Sequence, residues 1–434
     1  MRTPKLWSAL LGVVVLVATA CGSGTSSKPP AASASAGASS SAAGSESALP
    51  SGSAGAGGDL LIWADDKRAA ALKPLAAQFG QEQGVNVKVE AISKDLITNF
   101  KTASGAGTGP DIVIWAHDVV GDLVANGFID PVTLTDPSVF DPIAIKGMTF
   151  GGQLYGIPYN VENIALFRNT DLVPDAPTSI EDMVAKGKAL IAAGKTKEIM
   201  SLQVGQAGDA YHIYPLFVSG GGSLFGQTST GDPDPTQVNV DSAGSIAAGE
   251  KIKALGEKGD KALKTSIDGT NAIPLFFNKQ APFLISGPWA VADIKKAGVK
   301  YDISTIPAFT GGKPAGPFVG VNGFYIASKG KNKTLAQEFA TNFATTLPVQ
   351  VAFYDAEPRP PALTAAFDQV KATNPDMAKF VAAREGGTIL PAIPAMGQVW
   401  GPFGNAEAAI VRGDDVKRIL DAAAKAIRDG IAKG

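Results

Sequence analysis

"GPDIVIWAHD" (109–118) opens on a Gly-Pro turn signal, continues as the unbroken apolar run Ile112–Trp115, and stops at His117 and Asp118. A short apolar run bounded by turn residues is a buried strand, here with an indole and a carboxylate at its tip. Outward from it, "DLLIWADD" (59–66) and "VNVKVEAIS" (85–93) are runs of the same kind. Between the runs, "KRAAALKPLAAQFGQEQG" (67–84) and "LITNFKTAS" (96–104) are patterned as helices. This βαβα alternation predicts an α/β fold with a largely parallel sheet. In such sheets ligands bind beyond the carboxyl ends of the strands, where Asp65, Asp66, Lys67, Trp115 and Asp118 all fall. The strand tip therefore faces a crevice.

Further along, "LYGIPYNVENIALFRN" (154–169) reads as extended chain that runs on past one sheet. The helix "TSIEDMVAKGKALIAAG" (178–194) follows, with Thr178 as the expected N-cap and Glu181 closing a capping box. A second α/β unit comes next, punctuated by "GDPDPT", "SGPW", "GGKPAGP" and "AEPRPP", and the amphipathic "LDAAAKAIRDGIAKG" closes the chain. "GAGTG" (105–109) precedes a strand instead of opening a helix, so it reads as a loop and not as a phosphate cradle.

The 434 residues, 45% of them hydrophobic, suffice for two or three domains. Lys and Arg (38) nearly balance Asp and Glu (40), so no basic stripe invites nucleic acid. Residues 1–21 have Arg2 and Lys5, then an apolar run, then small residues, the build of a secretory signal. "ATAC" resembles a bacterial lipobox, which implies lipidation of Cys21, the only cysteine, and a lipid anchor on the outer side of the cell membrane. A single cysteine excludes disulfides within the chain and Cys-type metal sites. Residues 22–58, almost all Ser, Ala, Gly and Pro, cannot bury enough apolar surface to offset their ordering entropy, and read as a disordered tether.

Two histidines, His117 and His212, with no G-x-S-x-G and no metal-ligand spacing, leave little for triad or metal chemistry; no cofactor and no metal is expected. Asp66, Asp118, Glu162 and Asp209 could supply the acid and nucleophile of a glycosidase, which makes an extracellular glycoside hydrolase the competing class. Each, however, lies close to an aromatic residue: Trp63, Trp115, Tyr159 and Tyr211 in turn. Carboxylates accept hydrogen bonds from hydroxyls and flat rings cover the C–H faces of a sugar. The combination describes a carbohydrate-binding site without catalysis. Trp63 sits mid-strand and is expected in the core, whereas Trp115, Trp289 and Trp400 lie at element ends or beside Gly and Pro.

From Asp59 onward the chain resembles the extracellular solute-binding proteins of ABC importers, and among them the maltose/maltodextrin-binding proteins. The resemblance is carried by "IWADDK", "GPDIVIWAHD", "GFI", "YGIPYNVENIALFRN", "FNKQAPFLISGPWA", "PFVGV" and "ILPAIPAMGQVW". It implies a two-lobed periplasmic-binding-protein-like fold of type II with a ligand cleft between discontinuous lobes, 59–160 with 322–370 and 161–321 with 371–434. It further implies a monomer that captures maltose or maltodextrin and delivers it to permease subunits; trehalose or another oligosaccharide is the alternative ligand. By motif match it carries over Asp66, Lys67, Trp115 and Asp118 from the first lobe, and Glu162, Asp209, Tyr211, Trp289 and Trp400 from the second. Val119, Gly401 and Gly404 stand where maltose binders have an arginine, a tyrosine and an arginine, and Ile97 where an acidic residue is usual. Arg359, Gln398 and Asn405 are candidates to replace the lost donors.

Overall fold

The computed structural model describes residues 59–433; the expected signal, tether and lipidated Cys21 lie outside the described residues. The first sheet is built from the runs that opened the sequence. Strand β1 (Leu60–Ala64) leads into helix α1 (Asp66–Gln83), β2 (Val87–Ala91), helix α2 (Leu96–Gly105) and β3 (Ile112–Ala116). β1 pairs in parallel with both β2 and β3, as two right-sized helical crossovers require. Gly105 ends α2 and 106–111 form the connecting loop, so "GAGTG" is a turn as read.

Strand β4 (Ile157–Asn163) joins this first sheet, and after one residue the chain re-enters as β5 (Ala165–Asn169) in a different sheet. The extended run 154–169 thus crosses between two bodies. Helix α3 (Ile180–Ala192), β6 (Ser201–Leu202), helix α4 (Ala210–Ser219), β7 (Phe283–Ser286) and β8 (Tyr301–Ser304) follow. Their sheet has the order β8-β5-β7-β6, with β7 and β8 antiparallel to β5 and only β6 and β7 parallel. The parallel expectation holds for β1–β3 but not for this unit, because β5 enters it from the crossing instead of through a helical crossover.

The nine-residue β9 (Phe318–Ile326) is wholly buried, pairs antiparallel to β3 and β4, and accepts the short parallel β10 (Thr388–Ile389) on its first residues. Apolar packing divides at the crossings. One core holds residues from Leu60 to Val161 and from Val319 to Ala366; another runs from Ile164 to Phe318 and resumes at Leu390. The division falls inside β9, between Phe318 and Val319. Helices α5 (Trp400–Arg412) and α6 (Val416–Ile431) close the second core, α6 burying Val416, Leu420, Ala423, Ala424 and Ile427 on one face. The fold is therefore mixed α/β and two-lobed. Among the described residues no helix is long and apolar enough to cross a membrane.

One cap differs from expectation. Ser179, not Thr178, is the N-cap of α3: its side chain accepts from Asp182 N, and the Asp182 carboxylate accepts from Thr178 N at 2.9 Å. Glu181 points away and accepts from Thr310 N and its hydroxyl. The serine at the shifted position satisfies the Asp182 amide in place of Glu181's, and Asp182 serves as the acidic partner one residue later than Glu181.

Candidate functional site

The ends of β1 and β3 place their polar residues side by side. Asp65 caps α1 by accepting from Arg68 N at 2.9 Å. This fixes the start of the helix and sends the Arg68 side chain inward. There it pairs with Asp65 and donates to Tyr159 Oη at 3.0 Å and Asn322 Oδ1 at 2.6 Å. Its guanidinium carbon also lies 5.4 Å from the Trp115 ring centroid. Asp66 and Lys67 stay exposed at the rim, Asp66 accepting from Ser93 Oγ at 3.0 Å. In the sequence, the only signal for Arg68 is its place in "DDKR", beside the two rim residues.

His117, next in chain after β3, is a core residue. It is fully buried, its Nδ1 accepts from Val321 N at 3.0 Å, and burial lowers its pKa to about 4. Asp118 is half-buried, with its Oδ1 enclosed and without a partner. Burial pushes its carboxyl up to about 6, against the pull of its own backbone amide, the Trp400 indole N–H and Arg68. Asp118 lies between Trp115 and Val119, which pack against the first core, and Trp400 opens α5 and packs against the second.

On the second side, aromatic rings form a continuous string. Trp289 meets His212 at 6.1 Å, His212 meets Tyr211 at 5.5 Å, and Tyr211 stacks on Phe318 at 6.2 Å. Phe318 then meets the Trp400 edge at 6.0 Å. The Tyr211 hydroxyl is buried without a partner, and burial followed by the charges of Asp209 and Asp118 raises its pKa. Trp289 sits on a short 3-10 turn (Pro288–Ala290) whose preceding Gly287 leaves no room for a β-carbon against the indole.

Two sequence-nominated carboxylates are already engaged. Asp209 caps α4: Oδ1 accepts from Tyr211 N (3.1 Å) and His212 N (3.0 Å), while Oδ2 meets His212 Nδ1 (3.0 Å) and Gln203 Nε2. Four contacts occupy all the acceptor positions a carboxylate offers. Burial opposes its ionisation, but the His212 bond and charge hold Asp209 below the usual carboxylate range. Glu162, on β4, is paired with Arg359, which also donates to Glu357 Oε1 at 2.6 Å. Arg359 in turn lies over Trp289, 5.4 Å from its centroid, joining the crossing strand to the aromatic string.

Trp63 is buried in the core as read, its indole N–H donating to Glu90 Oε2 at 2.8 Å. Val119 and Ile97 pack against the first core, so neither offers a polar group. Gln398 abuts Gly430 on α6 and Asn405 is exposed on α5. Gly401 faces open space, whereas Gly404 is where the backbone of the Gly208 turn packs.

The chain matches one set of known proteins. A family model described as bacterial extracellular solute-binding protein covers residues 74–380, most of the chain. The chain belongs to that family. Among this solute-binding protein's relatives is a galactooligosaccharide-binding protein of Bacillus subtilis, 27% identical over 87% of this chain and 91% of the relative. A maltooligosaccharide ABC transporter solute-binding lipoprotein of Streptococcus pneumoniae is 27% identical over 98% and 97%. A maltodextrin-binding protein of Bacillus subtilis is 27% identical over 76% and 79%. Binding, not turnover, is what these relatives' names describe, and the engagement of Glu162 and Asp209 removes two of the four carboxylates a hydrolase could use.

Proposed function

We propose that this solute-binding protein captures a neutral oligosaccharide in the interlobe cleft and delivers it to the permease subunits of an ABC importer. The observation that supports this is a pair of buried polar atoms without protein partners, Asp118 Oδ1 and Tyr211 Oη, with Tyr211 standing in the ring string that runs from Trp289 to Trp400: acceptor and hydroxyl for a sugar's polar groups beside flat rings for its C–H faces. Sugars are recognised by that combination of apolar walls and a few placed polar groups. The maltooligosaccharide and maltodextrin binders among the relatives favour maltose and maltodextrins; the galactooligosaccharide binder keeps galactooligosaccharides as the second candidate. Trp115, Asp118, Tyr211, Trp289 and Trp400 would contact the sugar, with Asp66 and Lys67 reaching it from the rim on closure. Glu162 and Asp209 shape the site through their protein partners.

The two lobes, dividing near 162 and 319 where the cores part instead of at 160 and 322, would close as a hinge, which requires the ligand to bind the closed state better than the open one. Lipidation at Cys21 would hold the protein outside the cell membrane through the tether, working as a monomer. Titration calorimetry with maltose, maltotriose, longer maltodextrins, galactooligosaccharides, trehalose and xylobiose tests the reading. Saturable heat with one glucose or galactose series supports it; release of reducing sugar during the titration would replace it with hydrolysis.

A further inference from the structure

Two positions where the resembled binders carry arginine, Val119 and Gly404, have no side-chain donor here. The Arg68 nitrogens are each taken up, Nε by Tyr159, Nη1 by Asp65 and Nη2 by Asn322. Arg359 is different. Its Nη1 is held by Glu162 and its Nη2 by Glu357, but its Nε is buried with no partner, in a residue only 8% exposed. A buried N–H of a charged group left unpaired is costly, and native proteins keep few of them without a reason. The guanidinium lies over Trp289, one of the rings of the cleft string. Two carboxylates fix its plane, so the Nε–H points in one direction without further ordering.

We infer that Arg359 is a ligand-contacting, specificity-determining residue: its Nε–H donates to a hydroxyl of the sugar unit held at Trp289, and Glu162 serves as its anchor and not as a sugar acceptor. This rests on the saccharide reading above. Burial lowers the Arg359 pKa to about 10, still leaving it charged at neutral pH. Lysine at this position keeps the charge between Glu162 and Glu357 but has no planar fork with a third donor direction.

The test is titration of the full-length protein with maltotriose and with a galactotriose, for wild type, Arg359→Lys, Arg359→Gln, Glu162→Gln and the Arg359→Lys/Glu162→Gln pair, with thermal melts of each. Expected is a loss of about 10- to 100-fold in affinity for the bound trisaccharide in Arg359→Lys with an unchanged melt, the range of one charged hydrogen bond. Adding Glu162→Gln to Arg359→Lys should cost nothing more, since an anchor acts only through what it holds. Arg359→Lys binding within twofold of wild type overturns the assignment, as does a multiplicative loss in the pair, which would make Glu162 an independent contact. If Arg359→Lys melts lower, the comparison passes to Arg359→Gln and the pair at a temperature where all are folded, judged by the same two criteria. Wild type binding neither trisaccharide overturns the saccharide reading and this assignment together, a result distinct from wild type binding with Arg359→Lys unaffected.

Discussion

The Gly404 carbonyl packs against Gly208 so closely that a β-carbon on Gly208 would lie 1.7 Å from its oxygen. Gly208 also has φ +81°, a left-handed conformation that favours glycine. This contact seats the turn before α4 on the start of α5, and with it the Asp209 cap and Trp400. Gly208→Ala should destabilise the protein by about 2–4 kcal/mol through backbone strain and forced separation of the helices. Urea unfolding decides it, and an unchanged midpoint would show that the two backbones can part freely.

Gly401 is the opposite case. It is exposed beside Trp400 and a β-carbon there meets nothing within 4 Å. Gly401→Tyr should be accommodated with a stability change within about 0.5 kcal/mol, as for other surface positions. By extending the aromatic face it should tighten binding of the longest maltodextrins several-fold while leaving maltose nearly unaffected. Equal effects on short and long chains, read by calorimetry, would mean that position 401 lies off the path of the sugar.

If Asp118 contacts the sugar as proposed, it sets the pH dependence of binding. Burial pushes its carboxyl up to about 6, and a sugar hydroxyl would donate to the ionised form. Binding should therefore strengthen by about tenfold from pH 5 to pH 8 and level off above 7, following the ionised fraction. Asp118→Asn should bind more weakly and flatten the profile. A wild-type affinity that does not vary over this range would place Asp118 outside the ligand contacts.

Glu407 on α5 is 1% exposed with neither oxygen partnered, and burial, then the charge of Asp209, holds its pKa well above the ordinary value. A raised acid favours the folded state below its unfolded pKa, and that contribution is lost as pH rises through the folded value. Glu407→Gln, which cannot ionise, should melt at the same temperature as wild type at pH 4 and several degrees higher at pH 8. Parallel melting curves across that range would show that the charge is neutralised by a partner.

The first lobe was legible because its strands and helices are consecutive. β1, α1, β2, α2 and β3 fall where "DLLIWADD", "VNVKVEAIS" and "DIVIWAHD" and the helices between them were read. Period and turn chemistry are local properties, and so are the strand ends that carry Asp66, Lys67, Trp115 and Asp118. The second sheet was less legible, since antiparallel pairing of β5 with β7 and β8 joins strands more than a hundred residues apart.

Sequence by itself determined the α/β class, the crossing at 154–169, the loop at 105–109 and the core role of Trp63, all consequences of residue type and spacing along the chain. The tertiary structure alone decided what each polar group does. Asp209 is spent on capping α4, Glu162 on Arg359, and Arg68 on a network reaching Asn322, 254 residues away. A carboxylate's lone pairs go to whichever donors the fold brings within about 3 Å, and that proximity is a property of the packed chain, not of its order.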